Sequence, residues 1–464
     1  MKRLALSLLA AILAGPAAAV APPKKQAAKK TSAKKTTAPR RRTARRIPKA
    51  PPVSAKARAE ASETVNETLA RGMDAPLENP AAMVPFFELL YRAKSGEPAE
   101  PLRILHWGDS HTASDEWTGS LRALLQGQFG DGGGGYSLAG RPFSSYRRLD
   151  LRSGATRGWR SEGLLKREGD GLYGLGGVSV ATRLSGQSVY LKADCRHLEL
   201  FFLRQPGGGD FQFFDNGEAV ERISSDGELG PGYVVYDAEP GPHHFEVKTL
   251  SRKPVRLFGW VTEKERGVTY ETLGINGAQA SVMFRWDESL LASHIERRNP
   301  ALIVLAYGTN EAGNPDWTRE SYRDMFAALL QRLRRAAPAA SILVLGPPDR
   351  YRRIRGKWTP FERIDLIVAA QREAALANRC AFWDLREKMG GPGAMRQWVL
   401  AGLAQYDHVH FTAPGYRRLG YVLYRDLMYN YQKYTQAREE LAGNPAPAEA
   451  GPAGLKNGQT STDR

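Results

Sequence analysis

LRILHWGDSH, spanning Leu102–His111, reads as a buried strand over Leu102–Trp107 that opens into a loop at Gly108-Asp109-Ser110. After Ser114 the side chains of Trp117, Leu121, Leu124 and Leu125 recur at helical spacing. Asp115 and Glu116 fall in the first turn, where the helix dipole favours anions. The Gly-rich run Gly130–Gly135 ends that helix. The same order returns downstream. Leu302–Tyr307 (LIVLAY), Ile342–Leu345 (ILVL) and Ala381–Leu385 are apolar enough for buried strands, and Ser321–Arg335, Phe361–Asn378 and Gly415–Tyr434 carry helical patterns. Strands alternating with helices imply a parallel sheet covered on both faces, an α/β fold of three α/β/α layers.

Between residues 141 and 262 the texture changes. Ser188–Lys192, Leu198–Leu203, Asp210–Phe214, Tyr233–Asp237 and His244–Thr249 are short strand-like runs separated by Gly, Pro, Asn and Asp. That spacing predicts an inserted all-β, sandwich-like module. The α/β domain is expected over residues 79–140 and 263–441, with its folded body beginning near Asn79 and the module over 141–262.

The termini read differently. Lys2 and Arg3 precede an apolar run, Leu4–Leu13, and the small residues Ala17, Ala18 and Ala19 follow. This is the pattern of a cleaved export signal over residues 1–19, and the run is short for a membrane span; a retained N-terminal anchor is the alternative. The expected location is therefore exported, periplasmic or cell-envelope associated. The chain has a formal charge of +17, which suggests nucleic acid until it is located. Fourteen Lys and Arg lie between Val20 and Arg58 without an acidic residue, and with Lys2 and Arg3 they account for all but one of those charges. Residues 20–78 are expected to be a basic disordered tail and linker, able to sit weakly on an anionic envelope polymer or to act as a plain spacer. Nucleic acid is not expected as a partner. Residues 442–464, rich in Gly, Pro and Ala, are expected to be a second disordered tail. Cys195 and Cys380 are the two cysteines; buried free thiols are favoured over a disulfide, which spacing alone does not decide. Neither a Cys-x-x-Cys pair nor a His-Glu-x-x-His helix occurs, so no metal and no cofactor are expected.

Four places carry candidate chemistry. Ser110 sits where a strand gives way to a helix, the position at which open α/β sheets gather reactive groups, although a turn with a helix cap would look the same. No Gly-x-Ser-x-Gly elbow surrounds it, since Thr112 stands two residues on. A serine needs a base to take its proton. His410, with Asp407 three positions before it and the last helix just after, is the candidate; the residue three before His408 is Gln405. Asn310, in Tyr307-Gly308-Thr309-Asn310-Glu311 at a strand end, can offer an amide to a developing oxyanion or simply brace a turn. Gly277, in Leu273-Gly274-Ile275-Asn276-Gly277-Ala278, can present a bare N–H, with Gly274 as the alternative.

Ser110, Gly277, Asn310 and Asp407–His410 follow one another in an order that resembles the SGNH (GDSL-like) hydrolase superfamily, whose blocks supply Ser, Gly, Asn and His. The likeness runs from about Arg103 to Tyr434. Ile104–His111 (ILHWGDSH), Gly267–Ala278 (GVTYETLGINGA) and the β insertion before the glycine block are most similar to exported peptidoglycan O-acetylesterases. The resemblance implies a flavodoxin-like α/β/α domain. It implies Ser110 as nucleophile, His410 as base and Asp407 as its orienter. The oxyanion hole it implies is formed by Ser110, Gly277 and Asn310. His111 stands where the GDSL name has leucine; it either touches substrate or packs beside the loop.

The activity expected from these residues is removal of O-acetyl groups from a cell-envelope polysaccharide, peptidoglycan first, through an acyl-enzyme on Ser110. An O-acetyltransferase would use the same groups with a sugar hydroxyl in place of water. A lipid esterase or thioesterase would call for a long apolar lid-like segment, which is not apparent. A catalytically silent wall-binding protein would not need all four blocks.

Overall fold

The computed structural model describes residues 52–71, 76–97, 100–166 and 168–443. The expected export signal, the basic run up to residue 51 and the C-terminal stretch 444–464 lie outside the described residues.

Five parallel strands form the central sheet, in the order Val268–Gly274, Leu102–Gly108, Leu302–Ala306, Ser341–Leu345, Ala381–Trp383. Successive side chains of a strand point to opposite faces, and the two cores divide accordingly. Leu105, Trp107, Ile303, Leu305, Ile342 and Val344 enter one core, with helices Glu288–Arg298, Arg319–Ala336 and Arg363–Ala377. Leu102, Ile104, Leu302, Val304, Leu343 and Leu345 enter the other, with Val84–Lys94, Glu116–Phe129 and Ala413–Gly443. Burial on both faces is why these strands read as continuous apolar runs. The α/β/α expectation holds. The last strand is shorter than expected, because Asp384 caps a helix, Leu385–Met389, by accepting the Glu387 N–H.

The antiparallel sheet has nine strands. Its first, Gly135–Leu138, already pairs with Val255–Glu263, so it starts ahead of the boundary expected at residue 141. The Gly-rich run makes that early entry possible: Gly133 has φ +95° and a Cβ there would lie 2.8 Å from the Thr262 carbonyl oxygen. Runs that read as separate strands are joined. Ser188–Arg204 is one strand of 17 residues with an irregularity between Cys195 and His197, paired with Gly230–Thr249. Its Phe201 and Leu203 face the α/β core, while Leu198, Leu200 and Phe202 face the module's own core. Cys195 and Cys380 are both free and buried, and burial pushes their thiols up to about 12 and about 11.

Residues 20–78 were expected to be disordered tail and linker throughout. The structure corrects this: Ala55–Ala70 is a helix. Ser54 caps it by accepting the Ala57 N–H, and Ala61, Val65 and Leu69, spaced four apart, form its buried face. Val65 and Leu69 join Leu385, Met389, Met395 and Trp398 in the second core. Burying each such aliphatic side chain contributes about 1.5–3 kcal/mol. Among the described residues no helix is long and apolar enough to cross a membrane.

Candidate active site

The site forms where the parallel strands end at their carboxyl edge. Gly108, paired with Gly274 on one side and Ala306 on the other, closes the central strand. A Cβ on Gly108 would meet the Thr112 hydroxyl at 2.1 Å and the Ala306 carbonyl oxygen at 2.7 Å. The chain can therefore fold straight into the helical turn Ser110–Ala113, whose cap Asp109 accepts the His111 N–H. Ser110 is held at the start of that turn, half-buried.

Its Oγ lies 2.9 Å from His410 Nε2, and His410 Nδ1 lies 2.7 Å from Asp407 Oδ2. The other Asp407 oxygen accepts the N–H groups of Val409 and His410 at 3.0 Å each. Burial works to raise the Asp407 carboxyl, but these bonds and the His410 ring outweigh it and hold the carboxyl below its ordinary range. His408 points elsewhere: its ring packs tilted 4.4 Å from Trp358, and burial lowers its pKa.

Gly274 and Gly277 play different parts. A Cβ on Gly274 would lie 2.2 Å from the Ala113 nitrogen, so this glycine serves close packing against the serine turn. Gly277 is exposed, has φ +78° and has open space where a Cβ would be. The Asn310 amide donates to the Ala278 carbonyl at 2.9 Å and meets Asp109 Oδ2 at 3.4 Å. The Asn310 and Gly277 loops therefore adjoin each other and the serine turn.

His111 packs rather than reaching into the cleft. It is buried, 2.9 Å from the Tyr416 hydroxyl, with its ring 5.3 Å from that of His410. Burial, then the neighbouring His410, keeps its imidazole well below the usual range.

Three features escaped the sequence reading. Glu311, fully buried, accepts the Ala280 N–H at 2.7 Å and the Gly308 N–H at 3.0 Å, and burial pushes its carboxyl up to about 7. Asp109 is buried and pushed up to about 6 by that burial, against the His111 N–H and the Thr309 hydroxyl. Arg350 donates to the Thr309 carbonyl at 2.5 Å and lies over the Phe361 ring. Only the adjacency of Glu311 to Asn310 was a visible signal. Beside the Gly277 turn, a cavity of about 300 Å³ is walled by Phe143, Leu164 and Val178 from one side and Ile275 and Asn276 from the other. Among the described residues no group of three or more His, Cys, Asp or Glu is arranged to hold a metal ion.

Residues 246–418 match the GDSL-like Lipase/Acylhydrolase family. That segment holds Gly277, Asn310, Asp407 and His410, while Ser110 precedes it. Among solved structures, a peptidoglycan O-acetylesterase is 28% identical with a TM-score of 0.65, over 75% of this chain and 96% of its own. A family two carbohydrate esterase from Cellvibrio japonicus is 11% identical with a TM-score of 0.27, over 61% of this chain and 98% of its own. An acetyl xylan esterase, AlAXEase, is 17% identical with a TM-score of 0.25, over 35% of this chain and 80% of its own. No curated protein matches the chain. The chain carries a GDSL-like acylhydrolase domain joined to an antiparallel sheet module, and it is an ester hydrolase.

Proposed function

We propose that this esterase removes O-acetyl groups from a cell-envelope polysaccharide, with peptidoglycan the favoured substrate. The observation that carries the reading is the continuous hydrogen-bonded run Ser110–His410–Asp407, set beside the Gly277 and Asn310 loops. Similarity to a peptidoglycan O-acetylesterase over most of both chains supports the choice of polymer.

In this mechanism Ser110 Oγ attacks the acetyl carbonyl carbon as its proton passes to His410 Nε2. Asp407 holds Nδ1–H and steadies the imidazolium that forms. The carbonyl oxygen, now negative, is held by the N–H groups of Ser110 and Gly277 and by the Asn310 amide. Asn310 Nδ2 donates to the Ala278 carbonyl at 2.9 Å and makes a long bond of 3.4 Å to Asp109 Oδ2; the hydrogen of that longer bond is the one that turns to the oxyanion. Collapse expels the sugar oxygen, which takes the proton back from His410. Water, deprotonated by His410, then attacks the acetyl-Ser110 carbonyl; the acyl–Oγ bond breaks, Ser110 Oγ takes the proton back from His410, and acetate leaves. The sugar is assigned to the cavity beside Asn276, one wall of which comes from the module.

The export pattern at the N-terminus supports action outside the cytoplasm, where a wall polymer is met, with the basic tail as a weak, salt-sensitive tether to anionic envelope polymer. Acetate release from O-acetylated peptidoglycan, run beside acetylated alginate and xylan with Ser110→Ala as control, tests the proposal. Fastest release from peptidoglycan, lost in the variant, is expected. Equal or faster release from the other polymers would remove peptidoglycan as the substrate, and transfer of acetyl to sugar hydroxyls without free acetate would make the enzyme a transferase.

A further inference from the structure

Outside its N-terminal basic run the chain is close to neutral, yet Arg350, Arg352, Arg353, Arg355 and Lys357 crowd into eight residues with no acidic residue until Glu362. They occupy the root, the two strands and the turn of a hairpin, Tyr351–Ile354 and Lys357–Pro360. Its turn residues, Arg355 and Gly356, have φ +47° and +81°, the tight turn that matches strand twist. Arg352, Arg353, Arg355 and Lys357 are exposed.

The hairpin is built onto the loop that carries His410. The Tyr351 N–H donates to the His408 carbonyl at 3.0 Å, and Trp358 packs tilted on the His408 ring at 4.4 Å and edge-on to Tyr406 at 6.0 Å. Arg350 and Arg352 both sit over Phe361, at 5.1 and 4.8 Å from its centre. The nearby carboxylates are already engaged: Asp349 and Asp365 pair with Arg386, Asp407 with His410, and Asp109, which with Asp407 faces the buried side of Arg350, accepts the His111 N–H. Among the described residues none of the five cations has an ion-pair partner. Like charges gathered without counter-ions repel one another, and a polyanion laid across them relieves that repulsion and gains from it.

We infer that the hairpin spanning residues 351–360 is a docking element for carboxylate groups of the polymer substrate, which is therefore an acetylated glycan bearing carboxylates close to its ester. This rests on the esterase reading of Ser110. Arg350 and Arg352 over Phe361, with Arg353 over the Trp358 ring, meet the first carboxylate, while Arg355 and Lys357 follow the chain outward.

The test compares the full-length enzyme with a variant combining Arg352→Gln, Arg353→Gln, Arg355→Gln and Lys357→Gln. Both act on O-acetylated peptidoglycan with free stem-peptide carboxylates and on the same polymer with its carboxyls amidated, each rate normalised to 4-nitrophenyl acetate hydrolysis. The variant is expected to lose about tenfold in kcat/KM on the free-carboxylate polymer, chiefly through KM, and little on the amidated one. The corresponding lysine-for-arginine variant should keep the preference. An equal loss on both polymers, or none on either, would overturn the inference. Co-sedimentation of Ser110→Ala protein, with and without the hairpin changes, reads the same preference without turnover. If neither polymer is deacetylated but the charge-dependent binding persists, the esterase reading fails and the docking surface stands.

Discussion

Glu311 Oε1 accepts the backbone N–H of Ala280 at 2.7 Å, while the other oxygen of the same carboxyl accepts the N–H of Gly308 at 3.0 Å. One buried side chain thereby ties the loop after Gly277 to the loop before Asn310, and the Tyr322 hydroxyl braces it from beneath at 3.3 Å. Glu311→Ala would strand two buried N–H groups, at about 1–3 kcal/mol each. The expected outcome is a stability loss of about 2–6 kcal/mol in urea unfolding, with kcat falling more than KM rises. Glu311→Gln keeps one acceptor and should lose less of both. A variant with native stability but a changed KM alone would show that Glu311 does not position these loops.

Asn310 bonds to the Ala278 carbonyl with one amide hydrogen and only loosely to Asp109 with the other. Asn310→Ala is expected to slow hydrolysis of a small acetyl ester by about 10²–10³-fold with the fold retained. A near-native rate would assign the third donor to another group.

The helix Ala55–Ala70 separates two truncations that a featureless tail would make equivalent. Removing residues 20–51 should leave the melting temperature and small-ester hydrolysis intact while weakening retention on an anionic polymer at low salt. Extending the deletion through residue 71 uncovers Met395 and Trp398 and should lower the melting temperature markedly. Thermal unfolding of the two deletions, side by side, measures the helix's contribution; equal melting temperatures would deny it one.

His106 and His294 are buried, and burial pushes each imidazole down to about 3. A folded-state pKa depressed from about 6.5 means the unfolded chain binds more protons between these values, so stability is full above pH 6.5 and is lost as pH falls toward 3. Each group costs about 2 kcal/mol at pH 5 relative to pH 7. Asp109 and Glu311, raised to about 6 and about 7, act in the opposite sense, losing stability as pH rises from about 4 through those values. His294 lies among the rings of Phe201, Phe258 and Tyr233, with Nδ1 3.1 Å from the Tyr233 hydroxyl, so phenylalanine keeps the ring packing and gives up that one hydrogen bond. His294→Phe should show a smaller drop in melting temperature from pH 7 to pH 5 than the wild type. An unchanged drop would place the acid sensitivity elsewhere.

The parallel sheet was legible because both faces of Leu302–Ala306 and Ser341–Leu345 are buried, which leaves an apolar run no surface strand would carry. Ser110, Gly277 and Asn310 could be picked out because small and polar residues interrupt such runs where strands end, and Asp407 and His410 because they stand three apart in the loop before the last helix. The helix Ala55–Ala70 was not, since Ala61, Val65 and Leu69 are sparse among Glu, Thr and Asn and its buried face exists only against the last helices. The joined strand Ser188–Arg204 was hidden by polar residues between Lys192 and Leu198, where its pairing shifts register. Glu311 and Arg350 draw their roles from partners distant in sequence or from neighbouring loops, which no local pattern encodes.

The rate of 4-nitrophenyl acetate hydrolysis by Ser110→Ala, with folding verified, bears most directly on the nucleophile. Removing the hydroxyl that lies 2.9 Å from His410 Nε2 should lower turnover by about 10⁴-fold or more if it is the nucleophile. A loss of less than about tenfold would contradict a serine mechanism at this position.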